Sequence, residues 1–169
     1  MTPPIKVDFT SNLPENLPRE SDLRLSIELI PLTTTGRNLR SQLTHEQWDT
    51  LRHKVYARAN YCCEICLASN VEVHCHEVWS YDDEKHIQKL VGLRCLCRKC
   101  HNATHLTHVV FIRASDVTKH FAHINNMSML EANKVVRDAY KQMAERSRHE
   151  WTLDTSWLDS YLQKENEST

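Results

Sequence analysis

Two cysteine pairs constrain this chain more than any other feature. Cys63-Glu64-Ile65-Cys66 and Cys97-Arg98-Lys99-Cys100 are both C-x2-C, with 30 residues between them. C-x2-C brings two thiolates within reach of one ion, and two such pairs complete a tetrahedral set of four sulfurs. The spacing predicts a structural zinc (Zn2+) held by Cys63, Cys66, Cys97 and Cys100. The gap exceeds the roughly 15–20 residues of a compact zinc ribbon and leaves room for two strands and a loop. A site of this kind contributes on the order of 10 kcal/mol of folding energy. The chain has no run of 18 apolar residues, and its N-terminus lacks the apolar segment of a secretory signal. A cytoplasmic protein with no membrane contact is therefore expected, its seven cysteines thiols or metal ligands rather than disulfides.

The elements follow from periodicity and punctuation. Pro3, Pro4, Pro14 and Pro18 forbid regular structure over residues 1–22, an extended arm. Leu23, Leu25, Ile27 and Leu29 alternate with polar residues, the pattern of a strand ended by Pro31. Thr44 and Gln47 form a capping box, and Trp48, Leu51 and Val55 put an apolar face on the helix that follows. In "NVEVHCHEV" Val71, Val73 and Cys75 share one strand face, and Glu72, His74 and His76 share the other. A polar loop, "SYDDEKHIQK", leads to a second short strand, 92–97, and then a helix. The stretch "DDEK" reads as a solvated loop tip. Cys75 and Cys95 read as small buried hydrophobes. Helices are expected over about 116–125 and 129–148, the second opened by a capping box at Ser128 and Glu131. A short strand at "WTLD" and a short helix, 156–162, close the ordered part. The tail "QKENEST" is expected to be disordered. The organisation is then 1–43 arm and strand, 44–110 zinc-stapled core, 111–162 helical extension and 163–169 tail.

Histidine supplies a second candidate centre. His101 follows Cys100 directly, and His105 lies four residues on. On a helix these share a face about 6 Å apart, the geometry by which two imidazoles chelate one metal.

A C-x2-C, a strand carrying a histidine, a second strand, then C-x2-C-H-x3-H on a helix resembles the HNH nucleases over about residues 44–106. The stretches "CEIC", "HEVWSYDDEK", "QKLVGL" and "ERSRHEWTLD" extend the likeness to small stand-alone bacterial and phage HNH proteins, from about Leu32 to Leu162. The resemblance implies an α+β chain built on a ββα-metal core with flanking helices, stapled by the four-cysteine zinc site. It implies a metal-dependent endonuclease that hydrolyses phosphodiester bonds. His76 matches the first-strand histidine, the general base on water. His101 and His105 match the helix ligands of a single divalent ion, Mg2+, Mn2+ or another, that binds the scissile phosphate. The ligand slot before the base holds Cys75, with His74 as substitute on the face of His76. The family's Asn slot holds Gly92, and Gln88 is the candidate replacement. Thr104 stands where the related group carries a lysine.

The partner implied is nucleic acid, double-stranded DNA first. Lys89, Arg94, Arg98 and Lys99, with Arg52, Lys54 and Arg58, are basic runs free of local acids. Four phosphate contacts would give a log K against log salt slope of roughly −3.6. A net charge of −1 excludes a globally basic binder but not a local patch. The long helix 129–148 is a packing or homodimer element. The alternative is a catalytically inactive HNH-like zinc module that binds nucleic acid or a protein partner.

Overall fold

The structure is a computed structural model that describes residues 23–106, 114–159 and 161. The expected arm over 1–22 and tail over 163–169 lie outside the described residues. A 3-10 turn at Leu32–Thr34 leads into α1 (Leu39–Gln42) and α2 (His45–Arg58). Strands β1 (Val73–Asp82) and β2 (Ile87–Cys97) form a hairpin, and α3 (Arg98–Thr104) follows without a loop. Helices α4 (Ala114–Ile124) and α5 (Met129–Arg146) precede β3 (Thr152–Asp154). Residues 156–159 are helical. The sheet order is β1-β2-β3, antiparallel then parallel. The architecture is mixed α+β, as expected. No helix among the described residues is long and apolar enough to cross a membrane.

Both capping boxes form. Thr44 Oγ1 accepts the Gln47 N–H at 3.2 Å, and the Gln47 side chain accepts the Thr44 N–H at 2.9 Å. Ser128 and Glu131 repeat the exchange at 3.3 and 2.7 Å. Each satisfies two of the backbone donors that a helix start leaves without partners.

Two buried clusters hold the elements together. One joins Leu25, Ile27 and Leu29 to Cys63, Cys97, Cys100, Phe121 and Ala132. The other joins Leu51 and Val55 of α2 to Trp79, Tyr81, Leu93, Cys95 and Trp151. A fully buried Leu or Phe contributes roughly 1.5–3 kcal/mol, so the N-terminal segment is fastened to α4 and α5 by several such residues.

The segment at 23–31 is not a strand. Its alternation buries Leu25, Ile27 and Leu29, yet its ladder is replaced by separate contacts. Glu28 N–H donates to the Thr104 carbonyl at 2.8 Å. Leu25 exchanges two bonds with the Asn125 carboxamide, at 3.0 and 2.8 Å. Alternation thus reports burial on one face, and a strand needs a neighbouring backbone as well.

The expected loop "SYDDEKHIQK" is mostly strand. Ser80, Tyr81 and Asp82 belong to β1, and Ile87, Gln88 and Lys89 to β2. Only residues 83–86 turn. Tyr81, Gln88 and Leu90 are buried, which composition alone concealed. "DDEK" lies at the hairpin tip with Glu84 and Lys85 exposed, as expected, but Asp83 is held. Asp83 accepts two bonds from Arg146, at 2.7 and 2.9 Å. The Arg146 guanidinium is buried, 4.0 Å above the Tyr81 ring. The hairpin is thereby clamped to the last turn of α5.

Candidate metal centres and cleft

The two C-x2-C pairs come together although 30 residues separate them in sequence. Cys63 and Cys66 sit in the turn after α2. Cys97 is the N-cap of α3, and Cys100 lies in its first turn. The four sulfurs lie within 4.8 Å of one another, and Cys66 Sγ stands 3.6 Å from Cys97 Sγ. Four sulfurs at about 2.3 Å from one zinc would stand about 3.8 Å apart, so the donors fit a tetrahedral ion. The Cys63 thiol is held down to about 4, first by the hydrogen bond it receives from Cys100. Cys100 is raised correspondingly. His120 of α4 places Nε2 3.2 Å from Cys100 Sγ. Among the described residues, the arrangement is compatible with a structural metal site.

This knuckle sets where α3 begins and therefore where His101 and His105 face. One donor atom each from His76, His101 and His105 lies within 4.8 Å of the others. Their rings are steeply inclined. His101 and His105 have centroids 4.7 Å apart at 81°, and His76 and His105 4.8 Å apart at 68°. Steep angles let ring nitrogens converge on one point. His74 instead stacks on His101, at 5.2 Å and 17°, and Cys75 packs against the second core cluster. The structure thus gathers His76, and neither His74 nor Cys75, with the helix pair. Burial pushes the Cys75 thiol up to about 12, the behaviour of a small hydrophobe.

His76 is 5% exposed. Burial, then His105, His101 and Arg94, hold it well below the usual histidine range. Burial and His74 hold His101 down at about 4. At neutral pH these imidazoles are uncharged, so their ring nitrogens can offer lone pairs to a cation.

Glu28 is the site residue that sequence reasoning missed. Its carboxylate oxygen Oε2 lies 3.7 Å from His76 Nε2 and 3.6 Å from His105 Nδ1. Burial and the Glu77 carboxylate raise its proton affinity, and the Trp79 N–H opposes them. Nothing in "SIELI" marks Glu28 as anything but a polar residue between apolar ones.

These groups open into a cleft of about 660 Å3, whose lining includes Glu28, His74, His76, Gln88, His101 and His105. Gln88 is buried, and its Oε1 accepts the Thr34 hydroxyl at 2.7 Å, bracing the N-terminal segment. Gly92 stands opposite Val78 beside a bulge in the hairpin. A Cβ there would meet nothing within 4 Å, so space does not require glycine.

The basic residues are distributed differently from their sequence runs. Arg52 lines the cleft and holds Asp49 at 2.7 Å. Arg58 pairs with Glu64, Lys89 with Asp154 and Arg98 with Glu72. Lys89 and Arg98 thus meet acids from distant segments, and Arg52 and Arg58 meet acids three and six positions away. Lys54, Arg94 and Lys99 are exposed and do not line the cleft. Arg37 and Arg40, absent from the basic runs, do line it, and both are exposed.

Comparison with models of protein families, with curated proteins and with solved structures finds no match.

Proposed function

We propose that this chain is a metal-dependent endonuclease of the HNH type, hydrolysing phosphodiester bonds in DNA. The observation that carries the proposal is the convergence of His76, His101 and His105 in one cleft, at the start of a helix placed by the four-cysteine knuckle. A divalent ion bound at His101 and His105 would supply Lewis-acid neutralisation of phosphate charge. His76, neutral and buried, takes the proton from water as general base. Arg37, Arg40 and Arg52 on the cleft wall receive the flanking phosphates, with guanidinium forks suited to phosphate oxygens. The knuckle, with zinc, fixes the register of α3, so that a small hairpin holds its imidazoles rigidly.

A second reading, a zinc module that binds nucleic acid or protein without cutting, is favoured by Gly92 in the family's Asn slot. Plasmid nicking separates the two. Zinc-loaded protein with Mg2+ or Mn2+ is expected to nick supercoiled DNA, and His76→Ala is expected to lose nicking while keeping its fold. Wild-type protein inert with every divalent ion, yet retarding DNA, establishes the binder. A fully active His76→Ala removes His76 from the role of base.

A further inference from the structure

The cysteine centre has a neighbour on α4, brought to it by the fold alone. His120 Nε2 stands 3.2 Å from Cys100 Sγ. Cys100 is fully buried and the His120 side chain half-buried. The next residue on α4, Phe121, shares a buried cluster with Cys63, Cys97, Cys100 and Ala103, so α4 is packed against the knuckle where His120 meets it.

The geometry separates a ligand from a donor. The four sulfurs form a mutually close set by themselves, and a tetrahedral structural site closes at four donors. A sulfur and a nitrogen on one zinc, at about 2.3 and 2.0–2.1 Å from it, would stand roughly 3.5 Å apart; His120 is closer to Cys100 than that. Zinc then decides the direction of the contact. The bond that Cys63 receives from Cys100 needs a thiol proton, and metal binding removes the thiol protons. Cys100 Sγ is left as an acceptor, so the imidazole must donate. Four thiolates around one divalent ion leave two negative charges in excess, and buried charge is costly unless hydrogen-bonded. Main-chain N–H groups of Cys66, Cys97 and Ile65 serve Cys63, and that of Ala68 serves Cys66. At Cys100 a side chain from a separate helix stands in that position.

We propose that His120 donates a hydrogen bond from Nε2–H to the zinc-bound Cys100 thiolate and is a positioning residue of the cysteine centre. This rests on the reading of the four cysteines as a zinc site. A donor to an ionised acceptor is stronger than a neutral pair, so the contact tightens when the metal is bound. It fastens α4 to the start of α3, the helix that carries His101 and His105. The helical extension is then part of the metal centre through a polar bond as well as through apolar packing.

The test places cadmium in the cysteine centre of the full chain and reads proton–cadmium correlation by magnetic resonance. The His120 ring N–H is expected to correlate with cadmium through the Cys100 sulfur, and nitrogen-labelled histidine is expected to show no direct nitrogen–cadmium coupling at His120. His120→Phe, which keeps a ring but no N–H, is expected to lose the correlation and to weaken zinc by about 10–100-fold in competition with a chromophoric chelator. His120→Gln, whose carboxamide nitrogen reaches the place of Nε2, is expected to restore most of that affinity. The wild-type spectrum needs no substitution and decides the matter if a variant fails to fold. Cadmium on the cysteines without the correlation, or coupled directly to the His120 nitrogen, overturns the proposal and leaves the four-cysteine site standing. Unchanged zinc affinity in His120→Phe, or His120→Gln as weak as His120→Phe, also overturns it. Protein that takes up neither zinc nor cadmium overturns the site and the proposal together.

Discussion

Removing metal from the cysteine centre has a calculable cost. The ion would tie the turn at Cys63 and Cys66 to the start of α3 at Cys97 and Cys100, closing a loop of about 30 residues. Loop-closure entropy for that length gives about 4 kcal/mol in the chain-entropy model used for disulfides. Three of the four cysteines are fully buried or nearly so, and the metal–thiolate bonds lost with the ion come in addition, which makes this a lower bound. Against a total stability of about 5–15 kcal/mol, it is a large fraction. At about 2–4 °C per kcal/mol for a chain of this size, metal-free protein should melt about 8–16 °C below the zinc form. The assay is thermal denaturation followed by tryptophan fluorescence, with zinc release counted by a chromophoric chelator. Cys100→Ser should reproduce the loss. Cys62→Ala should not, because the Cys62 thiol lies outside the cluster and meets the Asn60 carbonyl at 3.3 Å. A metal-free protein that melts within about 2 °C of the zinc form, or a Cys62 variant as damaged as Cys100→Ser, would refute the reasoning.

Three further outcomes follow from the same geometry. Arg146→Ala removes a buried side chain beneath Tyr81 and Trp151 and leaves Asp83, a third exposed, without its partner; it should cost about 1–3 kcal/mol in urea unfolding. Gly92→Ala should raise stability by about 0.5–1 kcal/mol, because the strand interior there has room for a Cβ and glycine loses more chain entropy; a loss in the same urea titration would contradict it. Arg37→Ala with Arg40→Ala should weaken binding to duplex DNA and flatten its salt slope by about 1.8 if both meet phosphates, whereas Lys89→Ala, its partner Asp154 at 3.3 Å, should leave the slope unchanged.

What the sequence made legible was local. Capping boxes, the alternation of β1 and the four-cysteine set are written in short spacings, and each corresponds to a feature of the structure. His101 and His105 are read as a pair because one helical turn separates them. Glu28 was not legible: the histidines beside it lie 48 and 77 positions away, and the tie to Thr104 with the burial of Leu25, Ile27 and Leu29 brings it into the cleft. The acidic partners of the basic residues were not legible for the same reason. Arg98 and Lys89 stand in acid-free runs, but Glu72 and Asp154 arrive from other elements. The missed strand ends at 80–82 and 87–91 show the limit of composition. Asp82, Asp83, Glu84 and Lys85 dominate that stretch, although Tyr81 and Gln88 beside them are buried.

The central claim is that the chain carries two different metal centres, one of cysteines and one of histidines in the cleft. A crystal structure of zinc-loaded protein soaked in Mn2+, with anomalous data at both absorption edges, tests it most directly. The account predicts zinc among Cys63, Cys66, Cys97 and Cys100, and manganese within about 2.2 Å of donor atoms of His101 and His105, with the His76 imidazole alongside. Zinc alone, with no manganese peak in the cleft at saturating concentration, would contradict it.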